Sequence, residues 1–184
     1  VFMLSLLMHD FDSISDEIKQ NEVSVWNAMI QVYGKNGMGE DALELYQEMN
    51  VKADDITIIV LLHALGHNGM MQEAKKIFEN YLMENSVGDY FLPSGDKGSM
   101  MELYSAMTDC YSRSGYLKEA ERVILKYEEQ GNEPCSGMWM SLLNGCRMYD
   151  DKEMSQRIEK CFKERFKMGN DRLSASLLSK YTHE

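Results

Sequence analysis

The side chains in this 184-residue sequence that could do chemistry are few and scattered. His63 and His67 are four residues apart, so on a helix their imidazoles share one face and could fill two positions of a metal site. No third ligand of suitable type lies near them in the sequence. The cysteines are too far apart to form a zinc-binding or redox C-x-x-C pair. They are Cys110, Cys135, Cys146 and Cys161. We expect free thiols in a reducing compartment, no metal and no cofactor.

Signatures of catalysis are missing from the sequence as well. It contains no H-x-E paired with C-x-x-C, no phosphate-binding glycine loop, no nucleophile elbow and no H-E-x-x-H helix. No apolar run approaches the roughly 20 residues that a membrane span needs. The sequence therefore predicts a protein that is not an enzyme, has no small-molecule substrate and does not enter a membrane.

Charge is distributed unevenly along the chain. The net charge of −11 opposes contact with phosphates, which requires Lys and Arg. Residues 1–100 hold 16 acidic and 6 basic side chains, whereas residues 101–169 hold 12 and 11. In the second part, four basic residues recur every three to four positions and share one helix face. This basic stripe comprises Arg157, Lys160, Lys163 and Lys167. It is a candidate contact for phosphates or an acidic partner, and the alternative is a solvated face paired with Glu153, Glu159 and Glu164.

A repeat in the sequence organises the elements that carry these residues. Four copies are anchored at Trp26, Ile58, Tyr104 and Trp139. At a constant distance after the anchors come Gly37, Gly69, Gly115 and Asp150. At a second constant distance come the small residues Ala42, Ala74, Ala120 and Ser155. The Gly or Asp suits a left-handed residue that ends one helix, and the small residue lets the next helix approach closely.

Each copy therefore predicts two amphipathic helices, and such pairs bury their apolar faces by stacking. We expect an all-α, right-handed solenoid of stacked helix-turn-helix repeats. The predicted units span residues 23–54, 55–100, 101–135 and 136–169. Residues 1–22 are predicted to end a truncated unit and its linker, and residues 170–184 to begin another. Residues 85–99 contain Gly, Pro and Ser and predict an inserted loop. The β-branched run of residues 56–60 continues with helical spacing, so we interpret it as helix.

Two strings within the first unit are typical of one family. Residues 25–30, Val-Trp-Asn-Ala-Met-Ile, and residues 37–46, Gly-Met-Gly-Glu-Asp-Ala-Leu-Glu-Leu-Tyr, resemble a pentatricopeptide repeat of the plant PLS class. Residues 139–147 resemble the first "E" motif that follows such repeats, and residues 177–181 the start of the second. The tetratricopeptide family is the structural alternative, since it shares the helical hairpin and binds peptides. The quoted strings favour the pentatricopeptide family.

This resemblance implies that each unit reads one base of single-stranded RNA through its fifth and last residues. In the first unit these are Asn27 and Asp54, which resemble the uracil-preferring pair of the family. The second unit has Ile59 at the fifth position, which cannot read a base edge by hydrogen bonding. The third offers Ser105 with Cys135, a weak reader. The alternative for Asn27 and Asp54 is helix capping, which both residue types favour.

The resemblance also implies a role and a location. We expect a non-catalytic module of a mitochondrial or plastid RNA-editing or RNA-processing factor that binds single-stranded RNA and docks protein partners. In the family a deaminase often follows the E motifs, so such a domain could follow residue 184. The net acidity and the eroded reading positions keep a second hypothesis open. In it, the chain is a scaffold that mainly contacts proteins in a large organellar assembly such as a mitochondrial ribosome.

Overall fold

A computed structural model describes residues 22–87, 90–91 and 97–166 of the chain. The described residues form eight helices and one short pair of strands. The elements, in chain order, are α1 Val23–Lys35, α2 Gly39–Gln47, α3 Asp55–His67, α4 Met71–Glu84, β1 Ser86–Val87, β2 Tyr90–Phe91, α5 Lys97–Arg113, α6 Leu117–Glu129, α7 Ser136–Met148 and α8 Lys152–Arg165. None of the described helices is both long and apolar enough to cross a bilayer.

The turn between the two helices of each unit has one geometry in all four copies. The predicted left-handed residue has φ values of 80° at Gly37, 71° at Gly69, 79° at Gly115 and 53° at Asp150. In each turn the backbone N–H of the following residue donates to a carbonyl oxygen in the last turn of the first helix. The N–H of Met38 donates to Tyr33 at 3.0 Å, and that of Asp151 donates to Cys146 at 2.9 Å. Both features are those of a Schellman C-cap. The spacing of Gly and Asp therefore predicted these turns correctly.

The anchors and most of the small residues lie in one continuous apolar core. Trp26, Ile58, Tyr104 and Trp139 are each at most 5% exposed. Ala42, Ala74 and Ala120 are fully buried, whereas Ser155 is partly exposed. Burying this set against neighbouring helices is the main favourable contribution to stacking, because each unit alone would leave its apolar stripe in water.

The first helices of the units (α1, α3, α5 and α7) stack directly on one another along the chain. Each second helix (α2, α4, α6 and α8) packs on its own first helix, and those of the first three units also pack on the first helix that follows. Among the described residues, consecutive second helices do not pack extensively on each other. The first helices therefore form the close-packed layer of the stack, and the second helices form a looser outer layer. This all-helical stack confirms the predicted solenoid.

Residues with little or no side chain allow the first helices to approach so closely. A methyl group at Gly34 of α1 would lie 2.4 Å from the Cβ of Ala64 in α3. One at Gly66 of α3 would lie 3.2 Å from the Cβ of Cys110 in α5. At the third junction, a methyl group at Gly145 of α7 would lie 2.8 Å from the carbonyl oxygen of Ser112 in α5. At every junction, the residue eight positions after the anchor of one unit meets the residue six positions after the anchor of the next unit.

The segment between the second and third units differs from the prediction. Residues 85–99 were predicted to be a loop, but β1 pairs with β2 in antiparallel fashion and α5 begins at Lys97. The loop prediction is therefore wrong for residues 97–99, and α5 begins four residues before the predicted start of the third unit. The β-branched run of residues 56–60 is helical, as predicted. The predicted partial units at residues 1–22 and 170–184 lie outside the described residues, except for the N-cap Glu22.

Candidate functional site

The predicted reading pair, Asn27 and Asp54, comes together in the structure at the junction of the first two units. The side-chain amide nitrogen Nδ2 of Asn27 donates to Oδ1 of Asp54 at 3.4 Å. Asn27 lies on α1 and is 9% exposed, and Asp54 immediately precedes α3. The amide oxygen Oδ1 of Asn27 is buried and accepts no hydrogen bond from the described residues. An unsatisfied buried acceptor costs free energy, so this oxygen is suited to a donor supplied by a ligand.

Asp54 also has the capping role that was the alternative prediction. Its side chain accepts from the backbone N–H of Thr57 at 2.8 Å, and the Thr57 side chain accepts from the backbone N–H of Asp54 at 3.2 Å. This reciprocal arrangement is a capping box at the start of α3. Asn27, by contrast, lies inside α1 and caps no helix. Asp54 therefore caps α3, whereas capping does not explain Asn27.

The other predicted reading positions lack such a pair. Ile59 is 7% exposed and belongs to the core. Ser105 is partly exposed on α5, and Cys135 is the N-cap residue of α7 without a side-chain capping bond. Within the part of the chain that the structure describes, no hydrogen bond joins Ser105 to Cys135. The first unit thus carries the one assembled pair among the predicted positions that are described.

A row of basic residues on the first helices was missed by the sequence analysis. Lys35, His67 and Arg113 occupy the same register, nine residues after the anchor, and all three are exposed in the last turn of a first helix. His67 lines one surface hollow together with Lys35 and a second hollow together with Arg113. We call this set the cation row. The signal was present in the sequence, because the position nine residues after the anchor carries Lys, His or Arg in the first three units, whereas the fourth unit has Met148 there.

Two members of the cation row contact neighbouring titratable side chains. Arg113 forms an ion pair with Asp109, with 2.6 Å between Nε and Oδ2. His63 stacks on His67 with 6.4 Å between the ring centroids. Burial lowers the pKa of His63, and the carboxylate of Asp109 opposes that shift in part. Burial therefore favours the uncharged form of His63, and Lys35 and Arg113 are the side chains of the row that carry a permanent charge.

Two residues of the predicted basic stripe on α8 have acidic partners. Arg157 forms a two-pronged ion pair with Glu121 of α6, with 2.8 Å between Nη2 and Oε2. Lys163 lies 4.0 Å from Glu159, and Lys160 is exposed. Lys167 lies outside the described residues. The acidic partner of Arg157 belongs to the preceding unit, which the sequence analysis did not anticipate.

A second arginine on α8 reinforces this junction. Arg165 pairs with Glu128 of α6 through its two terminal nitrogens, Nη1 and Nη2. Its guanidinium carbon lies 5.0 Å from the ring centre of Trp139. Bidentate pairing fixes the arginine geometry, and the aromatic face adds a cation–π contact. These two arginines clasp the fourth unit to the third and are therefore poorly placed to neutralise phosphates.

The four cysteines are free, and none lies in a described group of three side chains that could hold a metal ion. Burial raises the pKa of the Cys110 thiol to about 12 and that of Cys146 to about 11, so both remain protonated at neutral pH. A thiol in that state is a poor nucleophile and a poor ligand. These two cysteines serve as core packing.

The repeated hairpins match a known family. The model of the PPR repeat family matches residues 24–52, 57–84 and 102–132, which fall on the first three helical pairs. Those helical pairs are pentatricopeptide repeats. The fourth pair, α7 and α8, follows the last matched residue and continues the stack with the same turn geometry.

Curated relatives carry the same kind of repeat. The chain is 29% identical over 153 residues to pentatricopeptide repeat-containing protein At5g40410, mitochondrial, of Arabidopsis thaliana, covering 82% of this chain and 23% of that protein. It is 31% identical over 144 residues to At1g18485 of the same plant, covering 77% and 14%. With the chloroplastic protein CRR2 it shares 26% identity over 147 residues, covering 78% and 20%. The chain thus spans less than a quarter of the length of these relatives.

Solved pentatricopeptide structures share the fold. The crystal structure of PPR10 in complex with an 18-nt psaJ RNA element superposes with a TM-score of 0.67 at 19% identity, covering 88% of this chain and 24% of that one. PPR10 from maize gives a TM-score of 0.57 at 22% identity, covering 77% and 19%. At these identities the likeness establishes the architecture of stacked repeats.

Proposed function

We propose that this pentatricopeptide segment is a non-catalytic module that binds single-stranded RNA along its first-helix layer and reads uracil with Asn27 and Asp54. The observation that carries the proposal is the assembled pair between α1 and α3, in which Asp54 holds the amide nitrogen of Asn27 and leaves its oxygen without a protein partner. That oxygen can accept from the N3–H of uracil, whereas cytosine presents a lone pair at the same ring position.

The cation row also lies on the first-helix layer, which supports this layer as the path of the RNA backbone. Lys35, His67 and Arg113 are spaced one per unit on the layer that also carries Asn27. Because Arg113 is already paired with Asp109, the row neutralises few phosphates, so binding by this segment is weak and only modestly dependent on salt. Additional units along the strand would add to this affinity.

The biological setting is also a proposal. The fourth helical pair resembles the E motif of RNA-editing factors, and the curated relatives include mitochondrial and chloroplastic proteins by name. PPR10, which shares the fold, was crystallised with a single RNA element. We infer a mitochondrial or plastid RNA-editing or RNA-processing factor of the PLS class that binds single-stranded RNA and other proteins, with no small-molecule substrate, metal or membrane.

Fluorescence anisotropy with short oligouridine and oligocytidine tests this proposal. We expect tighter binding to oligouridine by about tenfold, since a good base-edge contact contributes about 1–3 kcal/mol of discrimination. Asn27→Ala abolishes this preference, whereas Asn144→Ala, which changes an exposed Asn of the first-helix layer on α7, retains it. Lys35→Ala weakens both complexes equally and lowers the slope of log affinity against log salt by about one. Equal binding to both homopolymers, or no binding at low salt, would refute the uracil assignment.

A second candidate function is favoured by the engaged arginines. Arg157 and Arg165 bind Glu121 and Glu128 instead of remaining available to phosphates, and the chain keeps its net charge of −11. An acidic scaffold in a large organellar assembly, such as a mitochondrial ribosome, would use such a surface for basic protein partners. Co-purification separates the two candidates. Stoichiometric protein partners that survive nuclease treatment support the scaffold, whereas partners lost with the RNA support the RNA-binding module.

A further inference from the structure

Asp54 is held by more contacts than a helix cap requires. Its Oδ1 accepts from the backbone N–H of Thr57 at 2.8 Å, from the Thr57 hydroxyl at 2.7 Å and from Asn27 Nδ2 at 3.4 Å. The Thr57 oxygen also accepts from the backbone N–H of Asp54 at 3.2 Å. Thr57 itself is fully buried, so its hydroxyl cannot exchange these partners for water. These contacts all meet at one oxygen and restrict the rotation of the Asp54 carboxylate.

Comparison with another cap in the chain shows that the hydroxyl is an addition. Asp151 caps α8 through one bond from the backbone N–H of Met154 at 2.9 Å, with no hydroxyl behind it. The first helices α1 and α7 begin with no side-chain capping bond at all. Neither the cap nor the start of a first helix thus depends on a residue such as Thr57. What sets this site apart is that the same carboxylate oxygen also holds Asn27.

We propose that Thr57 is a positioning residue for base selection, which rests on the proposed reading of uracil by Asn27 and Asp54. A carboxylate only accepts hydrogen bonds, so Asp54 can hold the amide of Asn27 only by its nitrogen. That orientation leaves the buried Asn27 oxygen as the amide atom that can accept from the base. Without the Thr57 hydroxyl the carboxylate rotates more freely and its hold on the amide weakens. The amide then also presents its nitrogen, a donor that suits the N3 lone pair of cytosine, and the distinction between the two pyrimidines decreases.

The test is the ratio of affinities for oligouridine and oligocytidine, measured on the whole chain at low salt. Thr57→Val keeps the shape of the side chain and removes the hydroxyl, and we expect the ratio to fall by about three- to tenfold, the value of one lost hydrogen bond. Cytidine binding should improve while uridine binding weakens. Thr57→Ser keeps the hydroxyl and should restore the ratio. Thr108→Val is the matched control, because Thr108 is equally buried and its hydroxyl only donates to the Tyr104 carbonyl within α5.

Each outcome has a distinct meaning. A preserved ratio in folded Thr57→Val, with the wild type still preferring uridine, means that Thr57 is a cap alone and overturns this inference but not the proposed function. An equal loss of ratio in Thr108→Val would also overturn it, because the effect would then come from general loosening of the helices. No preference in the wild type overturns the reading pair and this inference with it. If Thr57→Val does not fold, by circular dichroism, Thr57→Ala provides the same hydroxyl deletion and the same two readings of the ratio.

Discussion

The contact between Gly34 and Ala64 sets the distance between the first two units, and substitution there should loosen the stack. In Gly34→Ala, the new methyl group would lie 2.4 Å from Cβ and 2.7 Å from Cα of Ala64. Carbon atoms pack at about 3.5–4.0 Å, so α1 and α3 must separate by about 1 Å or more. Neither obstructing atom belongs to a rotatable side chain, and the cost falls at the upper end of overpacking, about 3 kcal/mol.

Ala is intrinsically better than Gly in a helix by about 1 kcal/mol, which opposes that cost. We therefore expect Gly34→Ala to lower the free energy of unfolding by about 2 kcal/mol, measured by urea denaturation followed by far-UV circular dichroism. Gly137→Ala is the control, since Gly137 is also in a first helix but its added methyl group would meet only the Cys135 sulfur at 3.5 Å. That substitution should be neutral or stabilising. Ala64→Gly should cost less in the Gly34→Ala background than in the wild type, because only there does it also remove the opposing methyl group.

The same pair of substitutions can refute the reasoning. If Gly34→Ala and Gly137→Ala change stability in the same direction and by similar amounts, helix propensity alone explains both. The close approach of the first helices would then not limit the residue at position 34. Equal costs of Ala64→Gly in the two backgrounds would contradict the specific contact, even if Gly34→Ala is destabilising.

Three further predictions concern the turns, the clasp and the thiols. Asp150→Gly should raise the free energy of unfolding by about 0.5–1 kcal/mol in urea titrations, because Asp150 alone among the four turn residues is not Gly at positive φ; a loss would show that its side chain stabilises the turn. Glu121→Gln should lower stability by about 0.5 kcal/mol at low salt and by less at high salt, since Arg157 is mostly exposed; an effect independent of salt would exclude an electrostatic clasp. At about pH 8, iodoacetamide should alkylate Cys135 and Cys161 well before Cys110 and Cys146, because the raised pKa values of the latter two keep their thiols protonated. Mass spectrometry of the labelled peptides measures the order of alkylation, and the opposite order would contradict this prediction.

Local signals in the sequence were sufficient to predict the hairpins. Gly37 and its equivalents mark a backbone conformation that few residues adopt, and Ala42 and its equivalents mark a close approach, so spacing alone located the turns and second helices. The start of α5 was not predicted, because Gly98 and Ser99 are poor helix formers by local propensity and are nevertheless helical in the structure. Tertiary contacts override propensity at such helix ends.

The candidate site was predictable only in part, and for a related reason. Asn27 and Asp54 were paired through a family resemblance, not through spacing, because 27 residues separate them and only the stacking of α1 on α3 brings them together. The pairing of Arg157 was predicted within its own helix, whereas its partner Glu121 lies 36 residues earlier. Contacts between units depend on the rotation from one unit to the next, which a single sequence does not encode in any local pattern.

The unequal packing of the two helix layers has a mechanical consequence. Along one edge of the stack, helices touch through Gly34, Gly66 and Gly145, where backbone meets neighbour with almost no compressible side chain between them. Along the other edge, α6 and α8 are bridged by long arginine and glutamate side chains. The edge formed by the first helices is therefore stiff, and the edge formed by the second helices is more extensible. Bending should widen the gaps between second helices while the distance between successive first helices stays constant.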